Sequence, residues 1–110
     1  TAVVTALAHS GFKLNHFTFF GFLPRKKGDV SKALLKAQQV SLLLENSPVV
    51  FYESANRLNE TLLLLDAIAP TAQVCVCREL TKMYEEILRG NPKELSEKKF
   101  RGEIVLVIAF

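Results

Sequence analysis

The chain has 110 residues, 49% of them hydrophobic and 23% charged, which suits one folded domain with its own core and excludes a disordered tract. Its net charge of +3 permits a polyanionic partner without requiring one. The apolar runs, Leu42-Leu43-Leu44 and Leu62-Leu63-Leu64-Leu65 among them, are far too short to cross a bilayer, so no membrane partner is expected.

Residues 1–9 read as a short apolar helix stopped by Ser10-Gly11. It opens abruptly and without a starting Met, so a piece of a longer protein is expected. Residues 17–22 are aromatic and β-prone, a first strand. A basic loop over 24–28 follows. Asp29 then caps a helix to about residue 45, with Ala33, Leu34, Ala37, Val40 and Leu44 on one face. Asn46-Ser47-Pro48 is a turn. Residues 49–52 form a second strand. The next helix runs over 55–69, with Leu58, Leu62, Leu65 and Ile68 inward and Pro70 ending it. Residues 73–77 are a third strand and 84–88 a fourth. A short helix over 92–98 starts on Pro92, a position that tolerates proline. Residues 103–110 form the last strand. The pattern predicts an α/β three-layer domain with a mixed sheet of about five strands flanked by helices.

Two strands end in polar residues: Tyr52-Glu53-Ser54 and Arg78-Glu79-Leu80-Thr81. In open α/β sheets ligands bind at the carboxyl ends of strands. Glu53 and Arg57, four apart, could clamp a ligand or form an ordinary ion pair beside Ser54 as helix N-cap. Arg25, Lys26 and Lys27 could reach phosphates or simply be solvated. Phe17, Phe19, Phe20 and Phe22 could stack on bases, but at strand spacing core packing is the expectation. His9 and His16 lack partners at metal-ligand spacing, so no metal site is expected. Cys75 and Cys77 share a strand face in parallel projection, which suits a disulfide poorly. Reduced buried thiols and a cytoplasmic location are expected.

Several motifs then fall in a familiar order. Gly21-Phe22-Leu23-Pro24-Arg25-Lys26-Lys27-Gly28 comes first, then Phe51-Tyr52-Glu53-Ser54 with Arg57. Arg78-Glu79-Leu80-Thr81-Lys82 follows with Glu85-Glu86 and Arg89-Gly90. Gly102-Glu103-Ile104-Val105-Leu106-Val107-Ile108 closes the series. Together they closely resemble the C-terminal domain of the bacterial ribosomal RNA small subunit methyltransferase I family, within the tetrapyrrole (corrin/porphyrin) methylase superfamily. The opening Thr1-Ala2-Val3-Val4 resembles the start of the helix after a Gly-Pro-Ser turn in that family. Two departures stand at motif edges: Ala55-Asn56 where the family has Pro-His, and Asn91-Pro92 where it has Gly-Thr.

The resemblance implies two α/β domains with S-adenosylmethionine folded in the cleft between them. This chain would be the second domain, and a partner N-terminal domain would carry the Gly-rich cofactor loop. The implied reaction is methylation of a cytidine ribose 2′-hydroxyl in 16S ribosomal RNA. The implied cofactor contacts are Thr1, Ala2 and Val3, backbone groups of Phe51, Tyr52 and Glu53, and Glu79, Leu80 and Thr81. Glu53 and Glu79 are candidate general bases, although the base could equally lie in the other half. Arg25, Lys26, Lys27 and Arg57 are candidate contacts to the small-subunit RNA. A homodimer is expected. A corrin or porphyrin methyltransferase half is the alternative, and a non-catalytic interaction or dimerisation domain the third reading.

Overall fold

A computed structural model of the chain describes residues 2–12, 15–78 and 85–110. In chain order the elements are α1 (Ala2–Ser10), β1 (Thr18–Phe22), α2 (Lys27–Leu43), β2 (Val49–Ser54), α3 (Ala55–Ile68), β3 (Gln73–Arg78), β4 (Glu86–Gly90), α4 (Pro92–Ser96) and β5 (Glu103–Ala109). The strands form one sheet in the order β1-β2-β5-β3-β4. The β1/β2 pair is parallel and the other three pairs are antiparallel, so the sheet is mixed, as expected.

The three central strands are apolar along most of their length because helices cover both faces. On one face Val49, Phe51, Val74, Val76, Leu106 and Ile108 meet Val30, Leu34 and Ala37 of α2, Leu58, Leu62 and Leu65 of α3, and Leu95 of α4. On the other, Val50, Cys75, Cys77, Val105 and Val107 meet Val3, Ala6 and Leu7 of α1. Among the described residues three helices thus stand against one. On the second face α1 packs on β5 and β3 and reaches Val50 of β2, while Phe19 and Phe22 of β1 stay exposed.

Arg89 of β4 anchors the C-terminus of α1. Its Nε donates to the Ser10 carbonyl at 3.1 Å, and its Nη2 donates to the His9 carbonyl. A cation on the last carbonyls of a helix answers both their unpaired lone pairs and the negative dipole end. Beneath α1 the two cysteines are free and fully buried, with Sγ atoms 3.5 Å apart. The hydrogen bond from Cys77 and the Arg89 charge hold Cys75 below the ordinary thiol range against the opposing effect of burial. The bond to Cys75, then burial, pushes the Cys77 thiol up.

Several expectations are corrected in detail. Helix α2 begins at Lys27, with Lys26 in the cap position and no side-chain cap. Asp29 lies in the first turn instead, where its charge faces the positive helix end. The buried face of α2 is Val30, Leu34, Ala37 and Ser41, and Leu44 is exposed. The helix stops because Glu45 and Asn46 both adopt φ of 60°, while the Ser41 hydroxyl donates back to the Ser47 carbonyl at 2.7 Å. Strand β4 starts at Glu86, two residues later than expected, and Tyr84 lies outside the described residues. There Glu86 stands opposite Arg78, with Oε1 3.6 Å from Nε.

Strand β1 departs most from simple alternation. Its register against β2 shifts between Phe19 and Gly21. Gly21 sits at φ 78°, a left-handed conformation that glycine adopts without cost. The extra residue puts Phe19 and Phe22 on the same face, where both rings meet Tyr52 at 5.1 Å. Phe20 goes to the other face and stacks on Phe51 at 5.2 Å. Core packing therefore holds for Phe20. Phe17, Phe19 and Phe22 are exposed, because α1 does not reach this part of the sheet.

Candidate functional site at one end of the sheet

The strand registers bring the expected site elements to one end of the sheet. Strands β1, β2 and β3 finish there, at Phe22, Ser54 and Arg78. Strands β4 and β5 begin there, since Arg78 pairs with Glu86 and Ser54 with Glu103. Helix α1 joins them. Its C-terminus is tied to Arg89, whose partner Cys75 lies near the start of β3, so its N-terminus points back toward the end where β2 and β3 finish. Ala2, Val3, the tail of β2 and the tail of β3 thus converge. Thr1 and the segment Glu79, Leu80 and Thr81 lie outside the described residues.

Within β2 the three implied contacts divide. Phe51 and Glu53 point to the α2/α3 face and are each 2% exposed. Tyr52 points to the α1 face and is half-buried. Because β2 is paired on both edges, its backbone is largely consumed by the sheet; the Tyr52 carbonyl, for instance, accepts from the Leu23 amide at 3.2 Å. The side chain of Tyr52 is thus better placed than backbone groups to touch a ligand. Val3 is itself buried in the α1 core.

Glu53 is occupied by its own chain. Its Oε1 accepts the Ser54 amide at 2.8 Å and Arg57 Nε at 3.3 Å, and its Oε2 accepts the Thr61 hydroxyl at 2.8 Å. The carboxylate sits under the first turns of α3, next to the positive helix end. Both oxygens are engaged and the side chain is shut from solvent, which is the arrangement of a positioning group. Ser54 stands at the cap position but makes no side-chain cap bond, and its own amide donates to the Glu53 carboxylate. The Ser54 hydroxyl oxygen is buried and has no hydrogen-bond partner among the described residues. A buried hydroxyl of that kind has bonding capacity that an incoming group could meet.

Cations rim the same end. Arg25 and Lys26 are exposed and neither is ion-paired among the described residues. Lys27 pairs with Glu60 of α3 at 3.3 Å. Arg57 lies beside Glu53 and is 38% exposed. Lys99 and Arg101 join them from the α4–β5 connection. That connection is held by Asn59 of α3, whose amide donates to the carbonyls of Ser96 at 2.7 Å and Lys98 at 2.6 Å. A concavity of about 500 Å³ opens there between Asn59, Arg78, Glu86, Lys99, Phe100 and Arg101. Sequence reasoning missed this second basic group. Its signal was present as Lys98-Lys99-Phe100-Arg101, three cations in four residues just before the last strand. A larger concavity, about 960 Å³, lies at the opposite end between Ser10, Gln73, Arg89 and Glu94, away from every expected site residue. Among the described residues no three His, Cys, Asp or Glu side chains gather as metal ligands, and no helix is long and apolar enough to cross a membrane.

No family model matches the chain. The chain is 40% identical over 114 residues to the ribosomal RNA small subunit methyltransferase I of Hydrogenobaculum sp. (strain Y04AAS1), covering 98% of this chain and 46% of that protein. It is also 40% identical, over 113 residues each, to the proteins of that name from Bacillus subtilis (strain 168) and Thermotoga maritima. These alignments cover 97% and 99% of this chain, and 36% and 48% of the relatives. The chain is a homologue of part of the ribosomal RNA small subunit methyltransferases I. It spans less than half the length of each of these three relatives. Among solved structures, the methyltransferase CobJ superposes with a TM-score of 0.66 at 21% identity, over 97% of this chain and 47% of that one. A diphthine synthase superposes with a TM-score of 0.63 at 8% identity, over 97% and 45%. Those superpositions establish the fold, and the fold is that of the sheet and flanking helices described above.

Proposed function

We propose that this chain is the C-terminal domain of a two-domain, S-adenosylmethionine-dependent methyltransferase acting on ribosomal RNA. The observation that carries the reading is 40% identity along almost the whole chain to proteins named for that activity. The finer assignment is methylation of a cytidine ribose 2′-hydroxyl in the 16S RNA of the small subunit, in the cytoplasm. An N-terminal domain would close the cofactor cleft from the other side.

The residues at the sheet end are compatible with a share of that cleft. Tyr52 and the unpartnered Ser54 hydroxyl lie at the end toward which the first turn of α1 points. Together with Ala2 and the segment Glu79–Thr81 they would hold S-adenosylmethionine, which supplies a methyl group on a sulfonium when bound. Such a transfer asks the protein chiefly for alignment of the attacking oxygen. This chain contributes by ordering: the Glu53–Thr61–Arg57 arrangement fixes the β2–α3 junction from which Tyr52 and Ser54 project. Glu53 has both oxygens engaged, which leaves Glu79 as this chain's candidate to take the hydroxyl proton.

The basic rim favours RNA over a corrin or porphyrin. A tetrapyrrole site calls for a deep apolar bowl, whereas Arg25, Lys26, Arg57, Lys99 and Arg101 offer cations to phosphates. Exposed Leu35, Leu42, Leu43 and Leu63 supply an apolar surface for a second subunit or another domain, in keeping with a proposed homodimer.

The test is a salt titration of small-subunit RNA binding by the full-length protein and by its Arg25→Ala/Lys26→Ala/Lys27→Ala variant. The slope of log K against log salt should fall by about 0.7 for each phosphate that the variant no longer neutralises. S-adenosylmethionine affinity should stay nearly unchanged. Equal slopes would remove this loop from the RNA interface. Failure to bind small-subunit RNA, with methylation of a corrin or porphyrin instead, would replace the reading altogether.

A further inference from the structure

We infer that Phe19 and Phe22, braced against Tyr52, form a stacking platform for unpaired RNA bases, next to the Arg25–Lys26 loop that holds the adjoining phosphates. The inference rests on the RNA reading above and adds a surface and a mode of recognition to it.

Three observations carry it. The rings form one cluster: Phe19 and Phe22 each stand 5.1 Å from Tyr52, at interplanar angles of 70° and 55°. The cluster is open to solvent, with Phe19 45% and Phe22 69% exposed, because α1 packs on β5, β3 and Val50 of β2 and does not extend over β1. The cluster is also built. Plain alternation along β1 would send Phe22 to the same side as Phe20, into the core. The register shift at Gly21 turns it back onto the Tyr52 side. Burial of a phenylalanine favours the fold, and here two are left outside.

The neighbouring charge selects the occupant. Arg25 follows Phe22 by three residues, at most about 11 Å of chain. Neither Arg25 nor Lys26 is ion-paired among the described residues. Aromatic faces beside free cations match a single-stranded nucleic acid, which presents π-faces and phosphates alternately. A second copy docked here about a two-fold axis would instead gather two sets of like charges round one interface.

The experiment has two arms. These 110 residues hold no tryptophan, so Phe22→Trp in the full-length protein adds a reporter on the platform, read as the difference from wild-type emission. Its emission should be quenched by an unstructured oligoribonucleotide and by acrylamide when RNA is absent. In the full-length protein, Phe19→Leu/Phe22→Leu should weaken oligoribonucleotide binding about tenfold with the salt slope unchanged. Arg25→Ala/Lys26→Ala should lower the slope. A lowered slope in the cation variant with full affinity in the Leu variant would overturn the platform and leave the RNA reading standing. No binding of any oligoribonucleotide by the full-length wild type would end both. A reporter indole shielded from acrylamide, or self-association of the chain that the Leu variant abolishes, would assign the patch to a protein contact and overturn the inference.

Discussion

Removing the Glu53 carboxylate should unfold this domain more readily than any change at its rim. Glu53→Ala strips the acceptor from the Ser54 amide and the Thr61 hydroxyl, both at 2.8 Å, under a side chain only 2% exposed. A buried donor left unmet costs about 1–3 kcal/mol, so two cost roughly 2–6. Arg57, at 38% exposure, regains water on losing its partner and adds at most about 1 kcal/mol. The expected loss is about 2–7 kcal/mol, a large share of the roughly 5–15 kcal/mol that holds a domain folded. Glu53→Gln keeps the volume and one acceptor but turns an amide donor on another donor, and should cost about half as much. The assay is urea unfolding at pH 7 followed by circular dichroism, with Thr61→Val completing a double-mutant cycle. A coupling energy of about 1–2 kcal/mol between Glu53 and Thr61 is expected. If Glu53→Ala unfolds within about 0.5 kcal/mol of wild type, or the cycle shows no coupling, Glu53 does not hold the β2–α3 junction.

Gly21→Val should destabilise by about 1–2 kcal/mol through backbone strain alone, since an added Cβ at φ 78° would meet no atom within 4 Å. Chemical denaturation would check it, and a cost near zero would mean that the β1 bulge does not depend on glycine. Arg89→Met should cost about 1–2 kcal/mol and raise amide exchange in α1 ahead of the rest of the sheet, by removing the bonds to the Ser10 and His9 carbonyls. Exchange in α1 no faster than in β3 would show that its apolar face holds it without the cap. Cys75 and Cys77 should resist a thiol reagent at pH 8 until the chain unfolds, because both are fully buried and Cys77 is held protonated. Prompt titration of either thiol in native buffer would show that α1 opens readily. Leu43→Lys, at a side chain 83% exposed, should leave stability within about 0.5 kcal/mol, and sedimentation would show whether it abolishes self-association.

Much of the architecture was legible because apolar runs and helical periodicity are local signals. Strands β2, β3 and β5 stand out as near-continuous hydrophobic runs, since both of their faces are covered. Leu58, Leu62 and Leu65 lie inward on α3 at the spacing the sequence shows. The polar tails Glu53-Ser54 and Arg78 read as strand ends, and they do share one end of the sheet.

What stayed hidden depends on partners far apart in the chain. The placing of β5 between β2 and β3 follows from long-range pairing, which no local pattern records. Only that pairing brings Lys99 and Arg101 to the rim that Arg25 and Lys26 occupy. Ser54 was legible as a cap by residue type and stands at the cap position, but its hydroxyl makes no cap bond; the junction is held instead by Glu53, which accepts from the Ser54 amide and the Thr61 hydroxyl. The aromatic face was misread because one bulge residue inverts the side-chain alternation beyond it. The sequence alone determined which segments bury themselves, since burial is set by each segment's own apolar atoms. The tertiary structure decided which polar groups and rings remain exposed together, since that depends on where one short helix, α1, stops covering the sheet.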